Sequence, residues 1–181
     1  MTIRFAERKD LENIALLYVH NHRQSYEGLL AEAYLSGLTA EYGMQKWGKQ
    51  LRNPEAKIWV AYEGNLFLGF AGGIPDPEIE QTWYLESLHV AEDSRGKGVG
   101  TALIRAVKQY AYDHGYEKMS VCIVRGNDRA ASLYQRLGAE HHSFFADDFN
   151  GTPSSSEKLI WNRLQQEEQH FGVDEDETCH S

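Results

Sequence analysis

The chain has 181 residues, of which 41% are hydrophobic and 25% are charged, and this is the composition of one folded domain rather than of a disordered chain. Its formal net charge of −9 argues against nucleic acid as a partner, because phosphate backbones bind to basic surfaces. Two cysteines are too few for a disulfide framework, there is no signal-peptide pattern at the N-terminus, and no apolar run approaches the ~20 residues of a membrane helix. These properties predict a soluble, cytoplasmic protein without a membrane partner.

The first part of the chain has the pattern of a strand, three helices and a hairpin. Apolar residues recur at helical spacing after Asp10, and Glu63-Gly64-Asn65 separates two runs with strand character. We therefore expect a strand at residues 2–5, helices at 10–24, 31–38 and 40–51, and strands at 57–62 and 66–73.

The second part alternates strands with helices. We expect strands at residues 82–90, 119–124, 139–145 and 157–162, helices at 101–114 and 129–137, and a polar loop at 147–156. From about residue 165 the chain is acidic and nearly free of apolar residues, which is typical of a frayed terminus. The sequence thus predicts an α+β domain over residues 1–164 and a flexible acidic tail over 165–181.

A glycine-rich turn joins the strand at 82–90 to the helix at 101–114. Its residues run Arg95-Gly96-Lys97-Gly98-Val99-Gly100-Thr101. Such a turn leaves backbone N–H groups unpaired at the positive end of the helix dipole, where phosphate is the usual ligand. The glycine spacing fits neither the dinucleotide fingerprint G-x-G-x-x-G nor the triphosphate loop, which needs Gly-Lys-Ser/Thr. A turn without a ligand is the alternative.

Two motifs resemble the hallmarks of the GNAT family of N-acetyltransferases. The turn fits R-x-x-G-x-G, which is that family's pyrophosphate loop for acetyl-CoA, and Asn127 to Gly138 fits N-x-x-A-x-x-x-Y-x-x-x-G. The order of elements from Thr2 to about Asn162 is similar to that of the GNAT fold. The resemblance therefore implies an α+β fold with a central mixed, mostly antiparallel sheet and helices on both faces.

The resemblance also implies an activity and a cosubstrate. Members of the family transfer the acetyl group of acetyl-CoA to a primary amine by direct attack in a ternary complex. The acceptor is expected to be a polyamine, an aminoglycoside, an amino-acid-like molecule or a peptide N-terminus, and the sequence does not choose among them. A non-catalytic module that binds or senses acyl-CoA is the alternative function. Homodimers are common among similar proteins, but no feature of this sequence establishes one. No metal is expected, because the histidines lack ligand spacing.

The residues expected to contact acetyl-CoA come from both motifs and from the strand before the turn. Backbone N–H groups around Leu88, His89 and Val90 can bind the carbonyl and the pantetheine amides, because such an arm can pair like an extra strand. The turn would hold the phosphates, with added charge from Arg95 and Lys97. By resemblance, Asn127 contacts the pantetheine or the thiol end, and Tyr134 is the general acid that protonates the leaving sulfur.

The proton acceptor and the acceptor-binding residues are less well marked. Strand alternation places Glu86 on the apolar face of Leu88 and Val90, where burial would raise its pKa and suit it to act as a base. A solvated Glu86, or a face reversed by a bulge, is the alternative, and His89 on the opposite face is the competing base. Among the acidic and aromatic residues expected near the cleft, three are candidates for binding a cationic amine: Tyr26, Glu27 and Asp147.

Overall fold

The computed structural model describes residues 1–149 and 152–167. Over these residues there are seven strands and five α-helices, with short 3-10 turns at Arg8–Asp10 and Glu92–Ser94. The strands are β1 (Thr2–Phe5), β2 (Lys57–Glu63), β3 (Leu66–Pro75), β4 (Thr82–Val90), β5 (Lys118–Val124), β6 (Glu140–Phe149) and β7 (Thr152–Trp161). The helices are α1 (Leu11–Tyr26), α2 (Glu32–Ser36), α3 (Ala40–Arg52), α4 (Val99–Asp113) and α5 (Asp128–Arg136).

All seven strands form one sheet in the order β1-β2-β3-β4-β5-β7-β6. Every neighbouring pair is antiparallel except β4 and β5, which run parallel. A parallel pair needs a long crossover between its strands, and α4 supplies it. The mixed, mostly antiparallel sheet confirms the expected fold class.

The sheet carries helices on both faces, and each face has its own core. Against one face, α1 and α3 bury a cluster that includes Ile14, Trp47 and Phe70. Against the other face, α4 and α5 bury a cluster that includes Leu103 and Tyr134. These two layers confirm the expected placement of the helices.

The packing of α1 against α3 depends on a glycine inside a helix. A Cβ atom at Gly43 would lie 2.9 Å from the backbone oxygen of Ala15, which real Cβ atoms essentially never do, and 3.0 Å from a methyl carbon of Val19. Gly43 thus allows the two helices to approach closely, although glycine weakens a helix interior.

Helix α3 starts where the sequence predicts, because the side chain of Thr39 accepts a hydrogen bond from the backbone N–H of Tyr42 at 3.1 Å.

The polar loop expected at residues 147–156 is wrong, because most of it is strand. Strand β6 runs on to Phe149 and β7 begins at Thr152, with Asp147 paired to Ser154 and Phe145 paired to Ser156. Both faces of this part of the hairpin meet solvent or a cavity, so it lacks the alternation of apolar and polar residues that marks a half-buried strand.

The described chain ends at residue 167, beside α4. The Glu167 carboxylate pairs with Lys108 and lies 3.9 Å from Arg105 Nε. The backbone N–H of Glu167 donates to Gln109 Oε1 at 2.9 Å. Most of the predicted acidic tail, residues 168–181, lies outside the described residues. Within residues 1–149 and 152–167, no helix combines the length and apolar character needed to cross a membrane.

Candidate active site

The centre of the sheet contains a gap between two neighbouring strands. Strands β4 and β5 pair only over their first halves, from Thr82 with Lys118 to Leu85 with Val121. Beyond this point β4 stays paired with β3 as far as Val90, and β5 stays paired with β7 as far as Val124. The two strands therefore separate, and a cavity of about 720 Å³ lies in the gap and extends to both sides of it.

One end of the cavity, here called the glycine end, is made of backbone. Helix α4 begins at Val99 after Gly98, whose φ of 81° places it in the left-handed region, and Gly96 has a φ of 73°. No side chain caps this helix, and the backbone N–H of Ala102 donates to the Gly98 carbonyl at 3.0 Å. The preceding residues, Gly98 to Thr101, line the cavity, and the N–H groups of a first helical turn have no partner within the helix, as a phosphate site requires.

A β-bulge in β4 decides which way the side chains before the turn point. Gly73 pairs with Leu85 but Gly72 pairs with Ser87, so Glu86 is an extra residue in the ladder. Leu88 then packs with Leu85 in the core beneath α4, although the two are three positions apart. The expectation that Glu86 shares a face with Leu88 and Val90 is therefore wrong, and the alternative of a face reversed by a bulge is confirmed.

The bulge turns Glu86 towards α3. Lys46 Nζ lies 3.3 Å from Glu86 Oε1, and Gln50 Nε2 donates to Glu86 Oε2 at 3.1 Å. The carboxylate lines the cavity and is half-buried, but it lies in a polar contact rather than on an apolar surface.

His89 lies on the same face as Glu86, so the expectation of opposite faces is also wrong. Its ring stacks on Phe70 with 5.1 Å between centroids and meets the edge of Tyr18 at 5.4 Å. Burial, together with the nearby charges of His22, Arg95 and Lys46, lowers the pKa of His89 to about 3. The ring is therefore neutral at physiological pH.

Helix α5 brings the second motif to the cavity. Asn127 caps the helix, with Oδ1 accepting from the backbone N–H of Ala130 at 3.4 Å. Tyr134 is 6% exposed, lines the cavity, and packs edge-on against Trp161 with 5.9 Å between ring centroids. Burial raises the pKa of the Tyr134 hydroxyl, so it keeps its proton and can donate it.

The other end of the cavity, here called the tyrosine end, is made of side chains from helices α1 to α3 and from strands β4 to β7. Helix α1 contributes residues at helical spacing, and His22 Nε2 is 3.2 Å from the Tyr34 hydroxyl of α2. Burial, with the charge of Lys46, lowers the pKa of His22 to about 4, and burial raises that of Tyr34 to about 12. The side chains that line this end are those of Tyr18, His22, Ser25, Tyr26, Tyr34, Tyr42, Lys46, Tyr84, Glu86, Cys122, Asp147 and Ser156.

Comparison with known proteins identifies the family. The family model for "Acetyltransferase (GNAT) family" matches residues 14–139. The chain belongs to the GNAT family. This assignment confirms the expected family and its enzyme class, an acyltransferase.

The relatives with curated names are N-acetyltransferases. The uncharacterized N-acetyltransferase YhfO of Bacillus subtilis is 30% identical over 151 residues, which cover 80% of this chain and 93% of that protein. The probable N-acetyltransferase family 8 member 5 of mouse is 32% identical over 98 residues, which cover 52% of this chain and 43% of that protein. The chain therefore matches less than half of the mouse protein but almost all of the bacterial one.

Solved GNAT structures share the fold. A ribosomal-protein-alanine N-acetyltransferase from Brucella melitensis is 20% identical with a TM-score of 0.70, covering 90% of this chain and 99% of that one. A spermidine N-acetyltransferase from Vibrio cholerae, in complex with CoA and spermine, is also 20% identical, with a TM-score of 0.68 and coverage of 90% and 95%. At this identity the likeness shows the fold alone.

The glycine end and the gap of this GNAT protein fit acetyl-CoA. A Cβ atom at Gly96 or Gly98 would meet nothing within 4 Å, so the turn is open towards a ligand. Beyond Leu85 and Val121, the facing edges of β4 and β5 have no strand between them, which leaves room for an extended arm with amide groups. These features suit the diphosphate and the pantetheine respectively.

Most, but not all, of the residues expected at the site line the cavity. The cavity-lining members are Tyr26, Glu86, Leu88, His89, Val90, Arg95, Gly96, Gly98, Val99, Gly100, Thr101, Asn127, Tyr134 and Asp147. Lys97 and Glu27 are exposed and are not part of the lining. Arg95 borders the cavity, but its guanidinium makes hydrogen bonds to α1, as described below.

Several lining residues escaped the sequence analysis. Tyr18 and His22 are two of them. Together with Tyr26, which the sequence analysis did propose, they follow one another at intervals of four on α1, which is the spacing of one helix face, and this signal could have found them. Lys46 and Arg129 carry no comparable signal, because each is one charged residue on a polar helix surface.

Proposed function

We propose that the protein transfers the acetyl group of acetyl-CoA to a primary amine while both are bound in the cavity. The observation that carries this proposal is the meeting of three features in one cavity: the open glycine turn, the gap between β4 and β5, and the Tyr134 hydroxyl. A protein that only binds acyl-CoA would need the first two features but not a proton donor.

We assign each chemical task to a group of this chain that lines the cavity. Acetyl-CoA supplies a thioester whose carbonyl carbon an amine can attack. The N–H groups between Gly96 and Thr101 hold the diphosphate, and the N–H groups of β4 near Leu88 to Val90 bind the amides and the carbonyl oxygen. Asn127 binds at the pantetheine or thiol end, and Tyr134 gives its hydroxyl proton to the leaving sulfur.

Glu86 is the proposed proton acceptor for the amine. A carboxylate has about four lone-pair sites, and Lys46 and Gln50 account for one contact to each oxygen, so sites remain for an amine N–H. His89 is less suited to this role, because its ring is packed between Phe70 and Tyr18.

A small cationic amine is the proposed acceptor. The tyrosine end offers phenol rings and the carboxylates of Glu86 and Asp147, which attract an ammonium group through charge and cation–π contacts. Among the proteins with this fold, one is named for spermidine and one for ribosomal-protein alanine, so polyamines and peptide N-termini are the two classes to compare. The negative net charge of the chain favours the same cationic class.

The test is CoA release from acetyl-CoA with a panel of spermidine, an aminoglycoside, free amino acids and an alanine-terminated peptide. We expect release with spermidine and weaker release with the peptide. In Tyr134→Phe, we expect turnover to fall by about 100-fold while CoA binds as before, because proton transfer typically contributes 10²- to 10⁴-fold. Binding of CoA without release from any amine would favour the acyl-CoA-binding module, and equal turnover in Tyr134→Phe would remove the general acid.

A further inference from the structure

The Arg95 guanidinium is fixed towards α1 by three hydrogen bonds. Its Nη2 donates to Asn21 Oδ1 at 3.0 Å and to Gln24 Oε1 at 3.0 Å. Its Nε donates to the backbone oxygen of Val90 at 3.4 Å. Three of the five N–H donors of the side chain are therefore used within the protein.

Asn21 completes a closed set of contacts around the end of β4. The side chain is only 4% exposed, and while its oxygen accepts from Arg95, its Nδ2 donates to the Val90 oxygen at 2.9 Å. The same carbonyl thus accepts from α1 and from the turn. We call this set, made of Arg95, Asn21, Gln24 and the Val90 carbonyl, the Arg95 clamp.

The clamp joins the two ends of the cavity. Arg95 is the first residue of the glycine turn, whereas α1 carries Tyr18, His22 and Tyr26 of the tyrosine end. We propose that Arg95 is a positioning residue that holds the amine-binding helix against the phosphate-binding turn, rather than a ligand of the phosphates. This inference rests on the proposed function for the identity of the two substrates, but not for the contacts themselves.

Another cation is available for the phosphates. Arg129 at the start of α5 lines the cavity, is exposed, and makes no ion pair with any of the residues 1–149 and 152–167. Together with the N–H groups of the turn, it can neutralise a diphosphate without help from Arg95. The positive charge of Arg95 instead strengthens its hydrogen bonds to the two side-chain amide oxygens.

The clamp needs arginine because its acceptors diverge. A planar guanidinium presents several donors in a fixed fork, and here it reaches two side chains on α1 and one carbonyl on β4. Lysine carries its charge on one nitrogen, so Arg95→Lys should keep only part of these hydrogen bonds. When bound CoA reduces the motion of the turn, the Arg95 clamp reduces the motion of α1 as well.

The first experiment compares Arg95→Met with Arg8→Met, which removes an exposed arginine outside the cavity lining. Calorimetry gives the Kd for CoA, and steady-state assays give KM for acetyl-CoA and for spermidine. For Arg95→Met we expect a Kd for CoA within about threefold of wild type, a spermidine KM raised by about tenfold and a kcat changed by less than about threefold. Gln24→Met should raise the spermidine KM by about threefold without any risk to folding, because Gln24 is exposed. Arg8→Met should change none of these values.

A role in phosphate binding gives the opposite result. A loss of CoA affinity of about tenfold or more, with an unchanged spermidine KM, would make Arg95 a phosphate ligand and overturn the proposal. Arg95→Lys sharpens the choice, since a phosphate site would accept lysine's charge fully, whereas the clamp predicts that the spermidine KM recovers only in part.

Hydrogen–deuterium exchange separates this inference from the proposed function. In wild type, CoA should slow exchange of amides in residues 17–26, and Arg95→Met should abolish this protection while leaving CoA bound. If spermidine is not acetylated, this measurement still decides, and equal protection in both proteins would overturn the clamp. If wild type does not bind CoA, the proposed function fails alone, and faster exchange of 17–26 in Arg95→Met than in wild type would still support the clamp. Equal exchange in that case would overturn it.

Discussion

The two ends of the cavity are built in different ways. The glycine end consists of consecutive residues whose backbone N–H groups face the ligand, and two of its glycines have φ values near +75°, at 73° and 81°. The tyrosine end consists of side chains from α1, α2, α3, β4, β5, β6 and β7, which are spread from residue 18 to residue 156. A backbone site depends on the conformation of one turn, whereas a side-chain site can change one residue at a time. The glycine end is therefore suited to a constant ligand and the tyrosine end to a variable one.

The largest expected effect comes from Glu86, the carboxylate of the tyrosine end that is proposed as the proton acceptor. Glu86→Gln keeps the size of the side chain and its contact with Gln50 but removes its ability to take a proton. We expect kcat for spermidine to fall by about 100-fold, in line with the usual contribution of a general base. The pH dependence of the rate should change as well. An unchanged pH–rate profile would show that another group accepts the proton, and CoA affinity serves as the control.

Gly98→Val should weaken CoA binding at the glycine end and leave the tyrosine end unchanged. A β-branched residue at a φ of 81° is strained by about 1–3 kcal/mol, and relief of that strain would turn the N–H groups away from the cavity. We expect the Kd for CoA to rise by at least tenfold. Gly64→Val is the matched control, because Gly64 has a φ of 57° in the β2–β3 hairpin turn, outside the cavity lining. It should lower stability by a similar amount and leave CoA binding intact. Equal CoA affinity in the Gly98 variant would argue against the turn as the phosphate site.

Asp147→Asn should weaken the tyrosine end alone. Asp147 lies on β6, lines the cavity, and accepts from the Ser156 hydroxyl at 3.4 Å. Removing its charge should raise the KM for spermidine about fivefold while the KM for acetyl-CoA stays the same. Glu12→Gln, an exposed carboxylate on α1, is the control for the loss of one negative charge. The same fivefold rise in both variants would mean that overall charge, and not the position of Asp147, attracts the amine.

Acid should weaken the buried contacts that Asp76 makes with β5 and β7. The Asp76 carboxylate is fully buried, and Oδ2 accepts from the Ser120 hydroxyl at 2.5 Å and lies 3.4 Å from Lys158 Nζ. Burial alone would raise its pKa, but these contacts and two backbone N–H bonds outweigh burial and hold the pKa below the usual value of 3.8. A lowered folded pKa gives stability that is present above the unfolded pKa and is lost as the pH falls through the folded pKa.

Asp76→Asn tests this link between charge and stability. The variant should be less stable than wild type by about 2 kcal/mol at pH 7, because Lys158 loses a buried partner, and the difference should shrink below about pH 4. Urea unfolding between pH 3 and 7 measures it, with exposed Asp93→Asn as control. A difference that is independent of pH would show that the loss is one of packing rather than of charge.

The same contrast explains how far the sequence could predict the structure. The turn and Asn127 to Gly138 could be predicted because each motif is a continuous stretch whose spacing reflects one local geometry. The faces of Glu86 and His89 could not, because the bulge arises from the pairing of β4 with β3 and leaves no mark in β4 itself. The full length of the β6–β7 hairpin could not be predicted, because polar residues occur on both of its faces. The role of Arg95 depends on Asn21, which is distant in sequence, so no local pattern could indicate it.

The bulge at Glu86 has a consequence for insertions and deletions in this strand. Before the bulge the odd-numbered residues of β4 share a face of the sheet with Leu85, whereas after it the even-numbered residues lie on that face. Deleting Glu86 would restore a regular ladder to β3 and leave Leu88 and His89 on their present faces, because only the extra residue lacks a partner in β3. Deleting or inserting one residue elsewhere in β4 would instead move part of the strand to the opposite face of the sheet. The fold should therefore tolerate the loss of Glu86, although the cavity would lose its carboxylate, far more readily than a change of length at any other point of the strand.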